Sequence, residues 1–79
     1  MATLSRRAEK DLAELPDALR NKAQAIIDKL DSEPTLGKKL LGPLAGKRSA
    51  KLGRTHRIVY VTDPIVLVLA ITQRKDAYR

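Results

Sequence analysis

Along this chain the spacing of apolar residues changes from helical to alternating. Between Arg6 and Leu15, Ala8, Leu12 and Leu15 recur at i, i+4 and i+7, with Glu9, Lys10, Asp11 and Glu14 on the other side. That stripe predicts an amphipathic helix, capped by the hydroxyl of Ser5 or Thr3 accepting from an orphaned N–H. Pro16 breaks the helix and suits the first position of a second one, where its missing N–H costs nothing. Leu19, Ala23, Ile26, Ile27 and Leu30 then form a broad apolar face, predicting a helix to about Leu30. The two stripes imply an antiparallel helical hairpin with one face laid on something flat.

The second half supplies the flat partner. Residues 31–46 hold Pro34, Gly37, Gly42, Pro43 and Gly46, a long connection with Leu36, Leu40, Leu41 and Leu44 to pin it to a core. The stretch KRSAKLGRTHRIVYVT, residues 47–62, reads as a hairpin: a short strand, a turn at Gly53, and a longer strand over 55–62. In the longer strand Arg57, Val59 and Val61 share one side, and His56, Ile58, Tyr60 and Thr62 the other, which places Tyr60 in the core. Asp63-Pro64 turns the chain into Ile65–Ile71, apolar at every position, as expected of a central strand covered on at least one face. Residues 1–5 are expected to pair as a short edge strand. The fold class predicted is α+β: one domain over residues 1–79, a helical hairpin packed on one face of a small, mainly antiparallel sheet. The other face is expected to be free.

Charge sharpens this picture. Residues 1–37 carry six Lys/Arg and seven Asp/Glu, whereas residues 38–79 carry ten Lys/Arg and two Asp/Glu, a net of +8. Such segregation points to a dedicated anionic partner. The hairpin would hold Lys51 near Arg57, where both cations can face one phosphate. With no cysteine and a single histidine, disulfides are excluded and neither a metal site nor a cofactor is expected. The lack of cysteine fits a reducing cytoplasm. No apolar run approaches the roughly 20 residues needed to span a membrane, and no signal-peptide pattern is present. Two tyrosines with no Phe or Trp argue against a stacking platform for many single-stranded bases.

Four segments in order, SRRAEKDLAELP, LDSEPTLGKKLLGPLAG, RTHRIVYVTD and TQRKDAYR, resemble the RelE/ParE superfamily of bacterial type II toxins, on the RelE side. The resemblance covers nearly the whole chain. It implies a ribosome-dependent mRNA endoribonuclease that attacks the adjacent phosphate with a ribose 2′-hydroxyl and is silenced by a cognate acidic or amphipathic antitoxin. Lys51 matches the family's base, and Arg57 and Arg74 match its phosphate-stabilising arginines. Tyr78 matches the terminal tyrosine that stacks on or positions a base. Lys47, Arg48, Arg54 and Lys75 are expected to add phosphate contacts. The chain departs from the pattern at Gln73, where many members carry histidine, at Ser49, often basic, and at His56, where an aromatic residue is usual. His56 itself reads as a strand or partner-contact residue.

Two other classes compete with the nuclease. One is a non-catalytic inhibitor whose basic face blocks an acidic protein target such as gyrase, in the ParE manner. The other is a plain nucleic-acid-binding module. The Lys51, Arg57 and Arg74 set favours cleavage; Gln73 favours a weakened or inactive homologue.

Overall fold

In the computed structural model, which describes residues 2–40 and 46–73, the two stripes become α1 (Arg6–Glu14) and α2 (Asp17–Ser32). Five strands accompany them: β1 (Thr3–Leu4), β2 (Lys38–Lys39), β3 (Arg48–Leu52), β4 (His56–Val61) and β5 (Leu67–Gln73). They form one sheet in the order β1-β5-β4-β3-β2. Only the β1–β5 pair is parallel, so the α+β, mainly antiparallel class predicted above holds. Among the described residues no helix is long and apolar enough to cross a membrane.

The core lies between the helices and one face of the sheet. Ala8 and Leu15 from the α1 segment and Ala23, Ile27 and Leu30 from α2 meet Ala50, Leu52, Ile58, Tyr60, Val68 and Ile71. Helix α1 rests mainly on β5, and α2 on β3. Ser5 rather than Thr3 caps α1, its Oγ accepting from the Ala8 N–H at 3.1 Å. Pro16 occupies the N-cap of α2 and Asp17 its first turn, one residue later than expected; the cap is extended, and Pro16 adopts that shape readily.

Tyr60 is fully buried, as its strand face predicted. Its hydroxyl donates to the Pro34 carbonyl at 2.9 Å and accepts from the Gly37 N–H at 2.8 Å. This ties the long connection to the centre of the sheet. A Cβ at Gly37 would fall 2.7 Å from the Ser49 carbonyl oxygen and 2.8 Å from the Tyr60 hydroxyl, so only glycine fits there.

Four expectations are corrected. The last strand spans 67–73 rather than 65–71, because residues 63–66 form the turn, with Ile65 54% exposed. An unpaired Leu69 then makes a bulge that uses one further residue. The connection contains a strand, β2, which pairs Lys38 with Ser49 and Lys39 with Arg48. Of the expected leucine pins Leu40 is buried, Leu36 is 46% exposed, and Leu41 and Leu44 lie outside the described residues. Asp11, assigned to the solvent side of α1, instead accepts from the Ile71 N–H at 3.0 Å. β1 pairs with β5 only at Leu67 and Val68, so the next stretch of the β5 edge needs other partners. Asp11 supplies one, and the Ser5 hydroxyl, donating to the Leu69 carbonyl at 2.7 Å, another.

Candidate functional site

The sheet register builds the site. Lys51 on β3 pairs directly with Arg57 on β4, and Arg57 pairs on its other side with Thr72 on β5. The three side chains therefore form a row on the face away from the helices. Directly opposed residues hold their Cβ atoms about 4.5–5.5 Å apart, and like charges so placed destabilise a sheet. Two cations at this spacing can hold one anion between them.

Arg57 is only 6% exposed. It is the second residue of β4, the central strand, and has a paired neighbour on both sides. On the same face Ser49 and Ala70, small residues among longer neighbours, are also buried. Ser49 Oγ and Thr72 Oγ1 are buried without a hydrogen-bond partner among the described residues.

Two concavities meet at Lys51 and Arg57. A notch of about 200 Å³ at the hairpin end is lined by Lys51, Gly53, Arg54, His56 and Arg57. Gly53 makes this turn with φ +63°, a left-handed conformation. The His56 Nδ1 lies 2.7 Å from the Thr55 hydroxyl, which fixes the ring's orientation. A larger bowl of about 570 Å³ runs from the same two cations toward α2, where Ile26, Lys29, Leu36, Lys38 and Ser49 wall it.

The candidates divide as follows. Lys51, Arg54 and Arg57 come together in the notch. Arg48 does not join them: it pairs with Tyr60, on the helix side, and its Nη1 donates to the Gly37 carbonyl at 2.7 Å. Lys47 precedes β3, where its carbonyl accepts from the Leu40 N–H at 3.0 Å. Arg74, Lys75 and Tyr78 lie outside the described residues. His56, which the sequence suggests only as a strand or partner-contact residue, stands in the notch beside the cations. Lys29 and Ser49 line the bowl without having been expected there. The spacing of Lys29 on α2 only says that it avoids the core; its approach to β3 is a tertiary fact.

The model for the ParE toxin of type II toxin–antitoxin systems matches residues 2–78. The chain belongs to the RelE/ParE superfamily of type II toxins. A chain of the RelBE2 toxin–antitoxin complex from Mycobacterium tuberculosis is 30% identical to this toxin, with a TM-score of 0.82 over 94% of this chain and 96% of that one. The YoeB/ParE toxin from Agrobacterium tumefaciens shares the toxin's fold at 22% identity, TM-score 0.80, over 94% of this chain and 99% of that one. So does a chain of the RelB–RelE complex from Methanococcus jannaschii, at 17% identity and TM-score 0.75, covering 98% and 95% of the two chains. A comparison with curated protein sequences finds no significant match.

Proposed function

We propose that this toxin is a ribosome-dependent mRNA endoribonuclease that inhibits translation in the cytoplasm. The observation that carries the reading is the Lys51–Arg57 cross-strand pair, two cations held on adjacent strands of a rigid sheet. Arg57 offers a planar fork to the non-bridging oxygens of the scissile phosphate. Lys51, acting from its neutral amine form, takes the proton of the attacking 2′-hydroxyl and becomes the cation that faces the phosphate. As that oxygen bonds to phosphorus, the 5′-oxygen of the next nucleotide leaves and needs a proton. His56, the one histidine of the chain, lines the same notch from the strand face opposite Arg57 and is the candidate donor. This supplies the acid that Gln73 cannot. Arg74 and Tyr78 keep the roles that the family resemblance implies, stabilising the phosphate and positioning a base.

The net of +8 on residues 38–79 fits a cognate acidic or amphipathic antitoxin laid across this surface. Relatives solved as toxin–antitoxin complexes support such a partner. Binding would also stabilise a small core by mass action.

A second reading, inhibition of a protein target such as gyrase, is favoured by the ParE description of the matching family model. Brief induction in a growing bacterium followed by mapping of mRNA 5′ ends separates the two. Cuts within translated codons support the nuclease; intact mRNA with DNA-damage signalling supports the second reading.

A further inference from the structure

The notch and the bowl differ in chemistry. The notch is lined by cations, a histidine and a glycine, and suits a phosphate. The bowl sets the aliphatic side chains of Ile26 and Leu36 against polar groups, and its volume of about 570 Å³ falls in the range of small-ligand pockets, roughly 300–1,000 Å³. A phosphate would leave the apolar walls without a role.

Ser49 lines the bowl and is 2% exposed, yet its hydroxyl makes no hydrogen bond among the described residues. A buried hydroxyl without a partner costs free energy, so a native structure that keeps one invites a ligand to it. The strand edge beside it is also open: β2 pairs only with Arg48 and Ser49, so the β3 backbone beyond Ser49 has no β2 partner. Leu36, 46% exposed, stands in the wall as an apolar surface for a planar group.

We infer that the bowl takes one nucleobase of the RNA whose phosphate is held by Lys51 and Arg57, with the Ser49 hydroxyl as its hydrogen-bonding group. The inference rests on the nuclease reading above and names the subsite that confers base preference. Bowl and notch share Lys51 and Arg57, so a nucleotide with its phosphate at those cations has its base beside the bowl. Single-stranded bases are recognised in this way, stacked on apolar or aromatic surfaces and read at their edges. A base bound here at the decoding site would be read by the toxin.

Titration of the isotopically labelled toxin with the four nucleoside 5′-monophosphates, and separately with inorganic phosphate, tests this by backbone NMR. Phosphate should shift amides of the hairpin end, residues 51–57, alone. Nucleotides should shift these and also Gly37, Ser49 and Ala50, with one base favoured over the others. Ser49→Ala, which removes only the hydroxyl, should flatten that preference by roughly tenfold, and Leu36→Ala should weaken all four bases alike. In ribosome-programmed cleavage, Ser49→Ala should change the ranking of bases at one codon position and leave the others unchanged. Nucleotides that perturb the hairpin end and never the bowl overturn the inference while leaving phosphate binding intact. A bowl that responds to the antitoxin alone also overturns it, in favour of a peptide site. Absence of any response to nucleotide also overturns the inference, and the mapping of mRNA 5′ ends then decides the nuclease reading by itself.

Discussion

The two edges of the sheet are finished in opposite ways. At the β1 edge the parallel pairing covers only Leu67 and Val68 of β5, and α1 takes over from there. Ser5 donates to the Leu69 carbonyl and Asp11 accepts from the Ile71 N–H, so side chains complete what the short strand leaves open. At the β2 edge the pairing is equally short, covering Arg48 and Ser49. Here it is followed by a bowl, a cluster of cations and a buried hydroxyl that has no partner among the described residues. The first edge uses its polar side chains on the backbone; on the second side Arg48 and Tyr60 do the same for the connection, while the Ser49 hydroxyl has no partner among the described residues. The first edge is closed by its own side chains, and the proposed chemistry lies toward the second.

Substitutions sharpen this contrast. The largest effect is expected from Arg57→Ala, which should slow cleavage on the order of 10²–10³-fold, as for loss of a preorganised electrostatic contact. Because Arg57 is buried, the same change should also cost about 1–3 kcal/mol of stability. Cleavage is therefore measured per folded molecule, beside a melting curve. His56→Gln should lower turnover about 100-fold with RNA affinity nearly unchanged, since the acid acts only as the leaving group departs. Unaltered turnover would remove His56 from the chemistry.

Gly37→Ala should cost about 2–3 kcal/mol, because the new Cβ meets a backbone carbonyl and the Tyr60 hydroxyl, neither of which can yield easily. Denaturant titration measures it. At the sealed edge, Asp11→Ala should cost about 1–2 kcal/mol by stranding the Ile71 N–H, with cleavage per folded molecule unchanged. A large loss of activity without loss of stability would break the division between the two edges.

Much of this was legible in the sequence. The helical stripes, the hairpin at Gly53 and the core position of Tyr60 follow from local periodicity, and the Lys51–Arg57 pair follows from a hairpin turned at that glycine. What escaped depended on distant contacts. Asp11 reads as a solvent-side residue until the end of β1 leaves the β5 edge in need of an acceptor. Arg57 is legible as a cation beside Lys51, but its burial is not until β4 proves to be the central strand. Arg48 reads as one more phosphate ligand until the connection brings the Gly37 carbonyl to its guanidinium. The bowl needs α2, β2 and β3 together, and no local pattern announces it.

The most direct test of the central claim, that the Lys51–Arg57 site cleaves RNA through a ribose hydroxyl, uses purified ribosomes programmed with a short mRNA. One version is all ribose; the other carries a single 2′-deoxynucleotide at the mapped cut site. Rapid cleavage of the first is expected, leaving a 2′,3′-cyclic phosphate, with none at the substituted position of the second. Equal cleavage of both, or no cleavage of either by folded toxin, would contradict it.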